Sequence, residues 1–226
     1  MSSPAPAESA RVAAASRRLA EEGLLIGTAG NVSMRHGDLV SVTPTGAVLG
    51  DIDAADITVV DLDGGIVAGK YAPTSELGLH LDIYRAYPAR AIVHTHAPKS
   101  TAVGCVLDEL PVLHYQQLVL GGATPVVPFH PFGTPELASA VREALRGKQC
   151  ALMANHGAVA LGADLDQAVE YALLLEWACT LYLDARTIGT PRPLTAEQQA
   201  AVIEVAWRTG YGTRKPLDGR LDRDNR

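Results

Sequence analysis

The sequence predicts a single-domain α/β/α sandwich built around a largely antiparallel central sheet. Residues 31–46 and 57–69 alternate apolar and polar side chains around tight turns, a pattern typical of antiparallel hairpins. Segments with helical spacing stand between the later strand-like runs, so helices are expected to cover the sheet. No repeat, low-complexity tract or interdomain linker interrupts the chain. We therefore expect one domain over residues 1–212 and a mobile tail over residues 213–226.

The first half of the chain contains two predicted helices of ordinary length. Residues 7–22 are rich in strong helix formers, and Gly23 stops the helix there. After the two hairpins, "PTSELGLHLDIYRAYP" predicts a helix capped by the hydroxyls of Thr74 and Ser75. "ARAIVHTH" then predicts a strand, and Pro98 begins a short helix at its first position.

The second half adds three strand segments and three helices. "ATPVVPF" predicts a strand, and the helix that follows has Thr134 as its N-cap and Gly147 as its stop. "CALMANHGAVALG" predicts two strand segments bent at residues 155–157. A long amphipathic helix is expected from about residue 164 to 187, and a T-x-x-Q capping box formed by Thr195 and Gln198 begins the last helix.

Composition and charge limit the classes of partner. The formal net charge is −6 and the isoelectric point is about 5.6. Such a chain has no overall positive field for nucleic acid or an anionic membrane, so neither is expected as a partner. Three widely spaced cysteines without a C-x-x-C motif indicate reduced thiols and a cytoplasmic location. Neither a signal peptide nor a membrane-spanning run is predicted.

Two histidines, His94 and His96, stand one residue apart inside an apolar run. Side chains alternate along a strand, so both imidazoles are expected on one face, with Thr95 turned away. A lone H-x-H pair is also compatible with exposed or hydrogen-bonded histidines. His156 adds weight to a metal site, because Gly157 follows it at a strand break where the backbone can turn the ring inward. Three histidines and an open position are the usual donor set of a catalytic zinc.

Glu76 is the candidate for a fourth metal-binding group, because it stands at a helix start just before the strand of the histidine pair. The alternative is a carboxylate that only stabilises the helix dipole. Three segments are rich in glycine and hydroxyl groups, and each by itself is typical of a turn or a cap. Together they predict a phosphate cradle beside the metal. These segments are residues 27–31, 43–46 and 74–75.

Seven motifs follow one another along nearly the whole chain: GTAGNVSMR, TPTG, PTSE, VHTHA, LPVLHY, FGTPELA and NHG. Their order and approximate spacing resemble the class II aldolase/adducin family. Within that family the resemblance is strongest to the aldolases of L-fuculose 1-phosphate. A single motif of this kind is not specific, whereas seven collinear motifs are.

The resemblance implies a class II aldolase, an aldehyde-lyase that holds one Zn²⁺ per subunit, with other divalent metals as the alternative. It implies that His94, His96 and His156 bind the metal, and that Glu76 is the fourth ligand at rest and the acid/base in turnover. Tyr115 matches the position that serves the aldehyde oxygen and reaches in from a neighbouring subunit of a homotetramer, whose active sites lie between subunits. The residues implied to bind the phosphate of a small sugar phosphate are Gly30, Asn31, Thr45, Gly46, Thr74 and Ser75.

The implied reaction is the reversible cleavage of a ketose 1-phosphate such as L-fuculose 1-phosphate. The products are dihydroxyacetone phosphate and an aldehyde such as L-lactaldehyde, formed through an enediolate that the metal stabilises. Sugar-phosphate 4-epimerases of the family carry Asp at the position of Glu76 and an acidic residue near Tyr115, and this chain has neither. Decarboxylases of 3-oxo-tetronate phosphates and aldolases or dehydratases of methylthioribulose phosphate stay open as alternatives. An adducin-like interaction module is the non-enzymatic alternative, and the retained ligand set argues against it.

The chain departs from the family pattern near its C-terminus. Tyr211 stands close to a tyrosine that shapes the aldehyde pocket in the family, but with an apparent one-residue insertion, and the tail is long. The identity of the aldehyde is therefore the least transferable feature. Four other histidines are not expected to be metal ligands: His36, His80, His114 and His130.

Overall fold

The computed structural model describes residues 5–209. Within this range nine strands form one sheet. In chain order they are β1 Asn31–His36, β2 Leu39–Val42, β3 Thr58–Asp61, β4 Ile66–Ala68, β5 Ala91–Thr95, β6 Glu109–Leu110, β7 Thr124–Val127, β8 Cys150–Met153 and β9 Gly157–Gly162.

The spatial order of the strands is β4-β3-β2-β1-β5-β9-β8-β7-β6. All neighbouring pairs run antiparallel except β7 and β8, which are parallel. The prediction of a largely antiparallel sheet is confirmed. Both predicted hairpins of the first half form the β1-β2 and β3-β4 pairs, and the bend at residues 155–157 joins β8 to β9.

Six α-helices accompany the sheet among the described residues. They are α1 Pro6–Glu21, α2 Leu77–Ala86, α3 Pro98–Gly104, α4 Pro135–Ala144, α5 Leu165–Ile188 and α6 Ala196–Thr209. Two short 3₁₀ helices cover Ala54–Asp56 and Tyr115–Leu120. In this part of the chain no helix combines the length and the apolar character that crossing a lipid bilayer requires.

Helices α1 to α5 cover both faces of the sheet. One apolar core lies between the sheet and α1, α3 and α5, and a second lies between the sheet and α2 and α4. The alternation of side chains along β5 shows the division, because Val93 belongs to the first core and Ile92 to the second. The predicted α/β/α sandwich is confirmed.

Helix starts follow the sequence signals at α4 but not at α2. The hydroxyl of Thr134 accepts from the backbone N–H of Leu137, as predicted. Helix α2 begins instead with Glu76 as its N-cap, and the prediction that Thr74 and Ser75 cap it is wrong. The reason is a pairing between two loops. The backbone N–H of Thr74 donates to the carbonyl of Thr43, so this segment is still extended three residues before the helix begins.

The contacts divide the chain into one unit that ends at Pro193 and a second that begins at Leu194. The first unit holds the whole sheet. In the second, α6 begins with the predicted capping box: the hydroxyl of Thr195 accepts from the N–H of Gln198, whose side chain accepts from the N–H of Thr195. The predicted domain boundary after residue 212 and the position of Tyr211 lie outside the described residues.

Candidate active site

Three histidines meet at one edge of the sheet. His94 stands near the end of β5, His96 follows one residue beyond that strand, and His156 stands in the turn between β8 and β9. One ring nitrogen from each lies within 4.8 Å of the nitrogens of the other two. His94 is fully buried, whereas the other two rings are partly exposed.

Strand register explains this convergence. His94 pairs with Val159 on β9, so the β8-β9 turn that bears His156 lies beside the end of β5. In that turn Asn155 adopts the left-handed conformation with φ of 56°. Gly157 permits the close approach of the two strands, because a Cβ at this position would lie 2.2 Å from the carbonyl oxygen of Thr95.

The ring of His94 is held in one orientation. Its Nδ1 lies 2.9 Å from the carbonyl oxygen of Ala158, which can only accept, so Nδ1 carries the proton. Its Nε2 faces Oε2 of Glu76 at 3.1 Å and Nε2 of His96 at 3.0 Å. Fixing Nδ1–H on a backbone carbonyl is the usual way in which a metal-binding histidine presents Nε2.

Glu76 lies beside this cluster and is buried, with 6% of its surface exposed. Its Oε2 accepts a hydrogen bond of 2.9 Å from the side-chain amide of Asn31. Its Oε1 is buried without a hydrogen-bond partner, and the nearest histidine nitrogen, Nε2 of His156, is 3.5 Å away. An unpartnered carboxylate oxygen in a buried site is costly. A cation at the histidine cluster would satisfy it.

Burial and charge set the protonation of the cluster. Burial raises the pKa of Glu76, but the positive charge and hydrogen bond of His94, together with His156 and Asn31, outweigh it and hold the pKa well below its ordinary value. Burial, together with the charge of His94, lowers the pKa of His96 to about 3 and that of His156 to about 4. Burial lowers the pKa of His94, but the charge and hydrogen bond of Glu76 outweigh it and raise the pKa above the ordinary value. Zinc binds neutral imidazoles and an ionised carboxylate, so its binding would displace the proton of His94.

A cavity of about 660 Å³ opens above the cluster. His96, His156 and Glu76 form part of its wall, and His94 lies behind them. All six residues that the family resemblance implied for phosphate binding line the same cavity. These are Gly30, Asn31, Thr45, Gly46, Thr74 and Ser75.

Backbone pairing brings two of the phosphate-binding candidates together. The N–H of Thr45 donates to the carbonyl of Ala72 at 3.1 Å, and the N–H of Thr74 donates to the carbonyl of Thr43 at 3.0 Å. The third segment lies against the end of β5 at Gly30, where φ is +92° and a Cβ would lie 2.9 Å from the carbonyl oxygen of His94, and all three segments line the cavity. Three loops that are distant in sequence therefore form one wall of the cavity.

The mouth of the cavity contains His130, which its place between prolines in the sequence suggests for that position, and two aromatic side chains to which the sequence analysis assigned no role. Phe129 and Phe132 are 63% and 68% exposed, and His130 lies between them. Asn155 also lines the cavity. One signal was available: the chain has only two phenylalanines, and both stand in the proline-flanked stretch "PFHPF". Large exposed aromatic side chains beside a polar cavity indicate a binding surface.

Tyr115 takes a different position from the other candidates. It begins the 3₁₀ helix Tyr115–Leu120, is 40% exposed, and its ring lies 4.4 Å from that of His114. It is not among the residues of this subunit that line the described cavity. The buried side chain of Gln117 holds the preceding loop by accepting from the N–H groups of Leu113 and His114.

Comparison with known proteins identifies the family of the chain. The profile of the "Class II Aldolase and Adducin N-terminal domain" family matches residues 10–183. The chain is 36% identical over 194 residues to the L-fuculose phosphate aldolase of Escherichia coli strain K12, covering 85% of this chain and 89% of that protein. It is 35% identical over 192 residues to the 5-methylthioribulose-1-phosphate/5-deoxyribulose-1-phosphate aldolase of Rhodospirillum rubrum, covering 84% and 86%.

Solved structures give the same result. A structure of L-fuculose 1-phosphate aldolase superposes with a TM-score of 0.85 at 31% identity, covering 91% of this chain and 97% of that one. The L-fuculose-1-phosphate aldolase of Thermus thermophilus superposes with a TM-score of 0.74 at 28% identity, covering 84% and 100%. The prediction of a class II aldolase is confirmed. The chain belongs to the class II aldolase and adducin family.

Proposed function

We propose that this protein is a zinc-dependent aldolase that cleaves a ketose 1-phosphate of the L-fuculose 1-phosphate type to dihydroxyacetone phosphate and an aldehyde. The observation that carries the proposal is the convergence of three histidine nitrogens within 4.8 Å beside the carboxylate of Glu76, in the wall of one polar cavity. Relatives that are named for such reactions, at 35–37% identity, support it.

In this proposal the metal is held by His94, His96 and His156, with Glu76 as the fourth ligand before substrate arrives. Three imidazoles and one carboxylate are a donor set that suits Zn²⁺. The residues fit such an ion, because Oε1 of Glu76 is buried without a hydrogen-bond partner and the ring of His94 already presents Nε2. When bound, the zinc supplies a Lewis acid that stabilises negative charge at the ketose carbonyl.

The protein's own groups provide the proton transfers. With substrate bound, the carboxylate of Glu76 would act as the general acid/base that exchanges a proton with the carbon beside the carbonyl. Asn31 keeps its hydrogen bond to Oε2, which leaves Oε1 for this proton. Tyr115 transfers a proton at the aldehyde oxygen of a neighbouring subunit's site, which accords with its exposed position away from its own cavity.

The phosphate is bound by the loops at 30–31, 45–46 and 74–75. They offer backbone N–H groups and hydroxyls from three directions, and such groups bind phosphate without a net positive charge. Burial of Asn31 and Thr74 keeps these donors fixed before the ligand arrives. We further propose a homotetramer with active sites between subunits and a cytoplasmic location, with one zinc in each subunit.

The test is hydrogen exchange into dihydroxyacetone phosphate in deuterated water, followed by NMR. One proton beside the carbonyl exchanges if the enzyme forms the enediolate, and no aldehyde has to be known in advance. Zinc-loaded protein is compared with chelator-treated protein. Glu76→Gln is expected to retain zinc and to lose exchange by about 100-fold or more, because the general base is removed. Glu136→Gln, an exposed carboxylate in the first turn of α4, is the matched control.

Exchange that depends on zinc and on Glu76 supports the proposal. Zinc-loaded protein that shows no exchange contradicts it and favours an epimerase, decarboxylase or dehydratase. Glu76→Gln that keeps full exchange with zinc bound contradicts the role of Glu76. Protein that binds no divalent metal points to the interaction module instead.

A second candidate substrate is 5-methylthioribulose 1-phosphate or its 5-deoxy analogue. It is favoured by the relative from Rhodospirillum rubrum, whose identity of 35% nearly equals the 36% of the Escherichia coli K12 fuculose-phosphate enzyme. Condensation of dihydroxyacetone phosphate with a panel of aldehydes separates the two. The highest kcat/KM with L-lactaldehyde favours the first substrate, and a preference for methylthioacetaldehyde or acetaldehyde favours the second.

A further inference from the structure

A buried chain of hydrogen bonds leads away from Glu76. The amide of Asn31 bridges Oε2 of Glu76, at 2.9 Å, and Nε2 of His80, at 2.5 Å. Nδ1 of His80 lies 2.7 Å from the hydroxyl of Ser33, which lies 2.7 Å from the hydroxyl of Tyr84. At most 6% of the surface of any member is exposed, and His80 and Ser33 are completely buried.

Two periodicities bring these groups together. Glu76, His80 and Tyr84 stand four residues apart, so they share one face of α2 and its N-cap. Asn31 and Ser33 stand two residues apart on β1 and share the face of the sheet that α2 covers. Polar side chains from α2 and from β1 therefore alternate along this chain of hydrogen bonds. They occupy a part of the helix–sheet interface that apolar side chains would otherwise fill.

The direction of every bond follows from the ionised carboxylate. Glu76 can only accept, so the amide nitrogen of Asn31 donates to it and the amide oxygen faces His80. Nε2 of His80 must then donate, and Nδ1 must accept from the hydroxyl of Ser33. The hydroxyl of Tyr84 in turn donates to Ser33. All four donors point towards Glu76.

The protonation of His80 agrees with this direction. Burial, aided by the charge of His94, lowers the pKa of His80 to about 3, so the ring stays neutral and keeps one acceptor nitrogen. Burial also raises the pKa of Tyr84, which keeps its hydroxyl a donor. Within the chain no member needs to change its protonation state.

We propose that His80, with Ser33 and Tyr84, acts as a positioning residue that fixes the amide of Asn31 and thereby holds the Glu76 carboxylate in its catalytic orientation. This inference rests on the proposed function for the role of Glu76. Oε2 is anchored by the chain, and Oε1 is left for the metal or the proton. His80 would affect the rate without touching substrate or metal.

The first experiment compares His80→Phe, His80→Gln and Tyr84→Phe in the zinc-loaded protein. His80→Phe removes both hydrogen bonds of the ring and is expected to lower kcat by about 10- to 100-fold with KM for the ketose phosphate nearly unchanged. His80→Gln restores a donor to Asn31 and is expected to recover part of the rate. Tyr84→Phe breaks only the last bond, so its loss of kcat is expected to be smaller than that of His80→Phe.

The second experiment does not depend on activity. Magic-angle-spinning NMR of ¹⁵N-histidine-labelled, zinc-loaded protein reports the tautomer of His80, assigned by its absence in His80→Gln. The direction of the chain requires the proton on Nε2. A proton on Nδ1, or a charged ring near neutral pH, overturns the proposal whatever the enzyme's substrate proves to be.

The outcomes separate the two proposals. If wild-type protein neither exchanges nor cleaves sugar phosphates, the proposed function fails, while the tautomer still tests the chain. If wild type is active and His80→Phe retains full kcat while folded, the positioning role fails. A third outcome also overturns the positioning role. In it, His80→Phe and Tyr84→Phe lose kcat equally and in proportion to their losses of stability, and His80→Gln restores no activity. Such a result indicates that His80 has a structural role alone.

Discussion

The carboxylate of Glu176 accepts a hydrogen bond of 2.8 Å from the backbone N–H of Ser100, 76 residues earlier in the chain. Its second oxygen accepts from the N–H of Lys99 at 2.9 Å. Helix α3 has no side-chain cap of its own, so Glu176 on α5 supplies the acceptor for its first turn. This turn begins two residues after His96, and α5 therefore holds the segment on which that histidine stands.

Replacing Glu176 with Ala is expected to lower the free energy of unfolding by about 1–2 kcal/mol, because two helix N–H groups lose their acceptor and the helix dipole loses a negative charge. Denaturant unfolding of the zinc-loaded protein measures it. Glu170→Ala, an exposed position on the same helix, is expected to change stability by less than about 0.5 kcal/mol. Equal effects at the two positions would show that the cap is unimportant.

Gly157→Ala is expected to destabilise the protein and to weaken metal binding. The new methyl group would overlap the carbonyl oxygen of Thr95 at 2.2 Å and approach the ring of His94 at 3.3 Å, so β5 and β9 must separate. We expect a loss of more than about 2 kcal/mol and a lower zinc content after dialysis. Metal analysis and thermal unfolding measure the two effects.

The matched control for this change is Gly78→Ala in α2. A Cβ there meets no atom within 4 Å, and the backbone is helical. Alanine is expected to stabilise the helix by about 0.5–1 kcal/mol. The two glycine substitutions thus have opposite predicted signs, and a loss of stability at Gly78 would contradict the steric explanation for Gly157.

Gln117→Ala is expected to loosen the loop that leads to Tyr115. The side chain of Gln117 accepts from two backbone N–H groups and donates to the carbonyl of Pro111 at 3.0 Å, all within 6 residues. Removing it leaves these groups unpaired and costs about 1–3 kcal/mol. If Tyr115 serves a neighbouring site, kcat also falls. Gln116→Ala, exposed on the same 3₁₀ helix, is the control for both readouts.

Acid is expected to destabilise the protein partly through His80. Its pKa is about 3 when folded, against 6.5 for an ordinary histidine. As pH falls below 6.5 the imidazole of His80 binds a proton in the unfolded chain, whereas it stays neutral in the folded protein until the pH approaches 3. His80 therefore leaves the free energy of unfolding unchanged above pH 6.5 and lowers it progressively as the pH falls from 6.5 towards 3.

His80→Gln removes this titration. Between pH 6 and pH 5 the free energy of unfolding of the variant is expected to fall less steeply than that of wild type, by up to about 1.4 kcal/mol per pH unit. Unfolding at several pH values, with and without chelator, measures the difference in slope. Identical slopes in the two proteins would contradict a neutral His80.

The identities of the chemical groups could be predicted from the sequence, because local patterns mark them. The alternation of β-structure predicts His94 and His96 on one side, although His96 stands just beyond the end of β5, and Gly157 marks the turn that carries His156. Helix caps at Thr134 and Thr195 also follow from short-range hydrogen bonds. The predicted cap at Thr74 failed because a long-range pairing with Thr43 keeps that residue extended.

The sequence by itself therefore determined the family, the sandwich of helices on an antiparallel sheet, and the candidate residues for a metal site and a phosphate site. Only the tertiary structure decided how they are arranged. Register between β1, β5 and β9 places Asn31 opposite His94 and brings His156 beside His94, although the three stand far apart in the sequence. The bonds from Glu76 to Tyr84 depend on the packing of α2 against β1, and no local pattern specifies which polar side chains meet there.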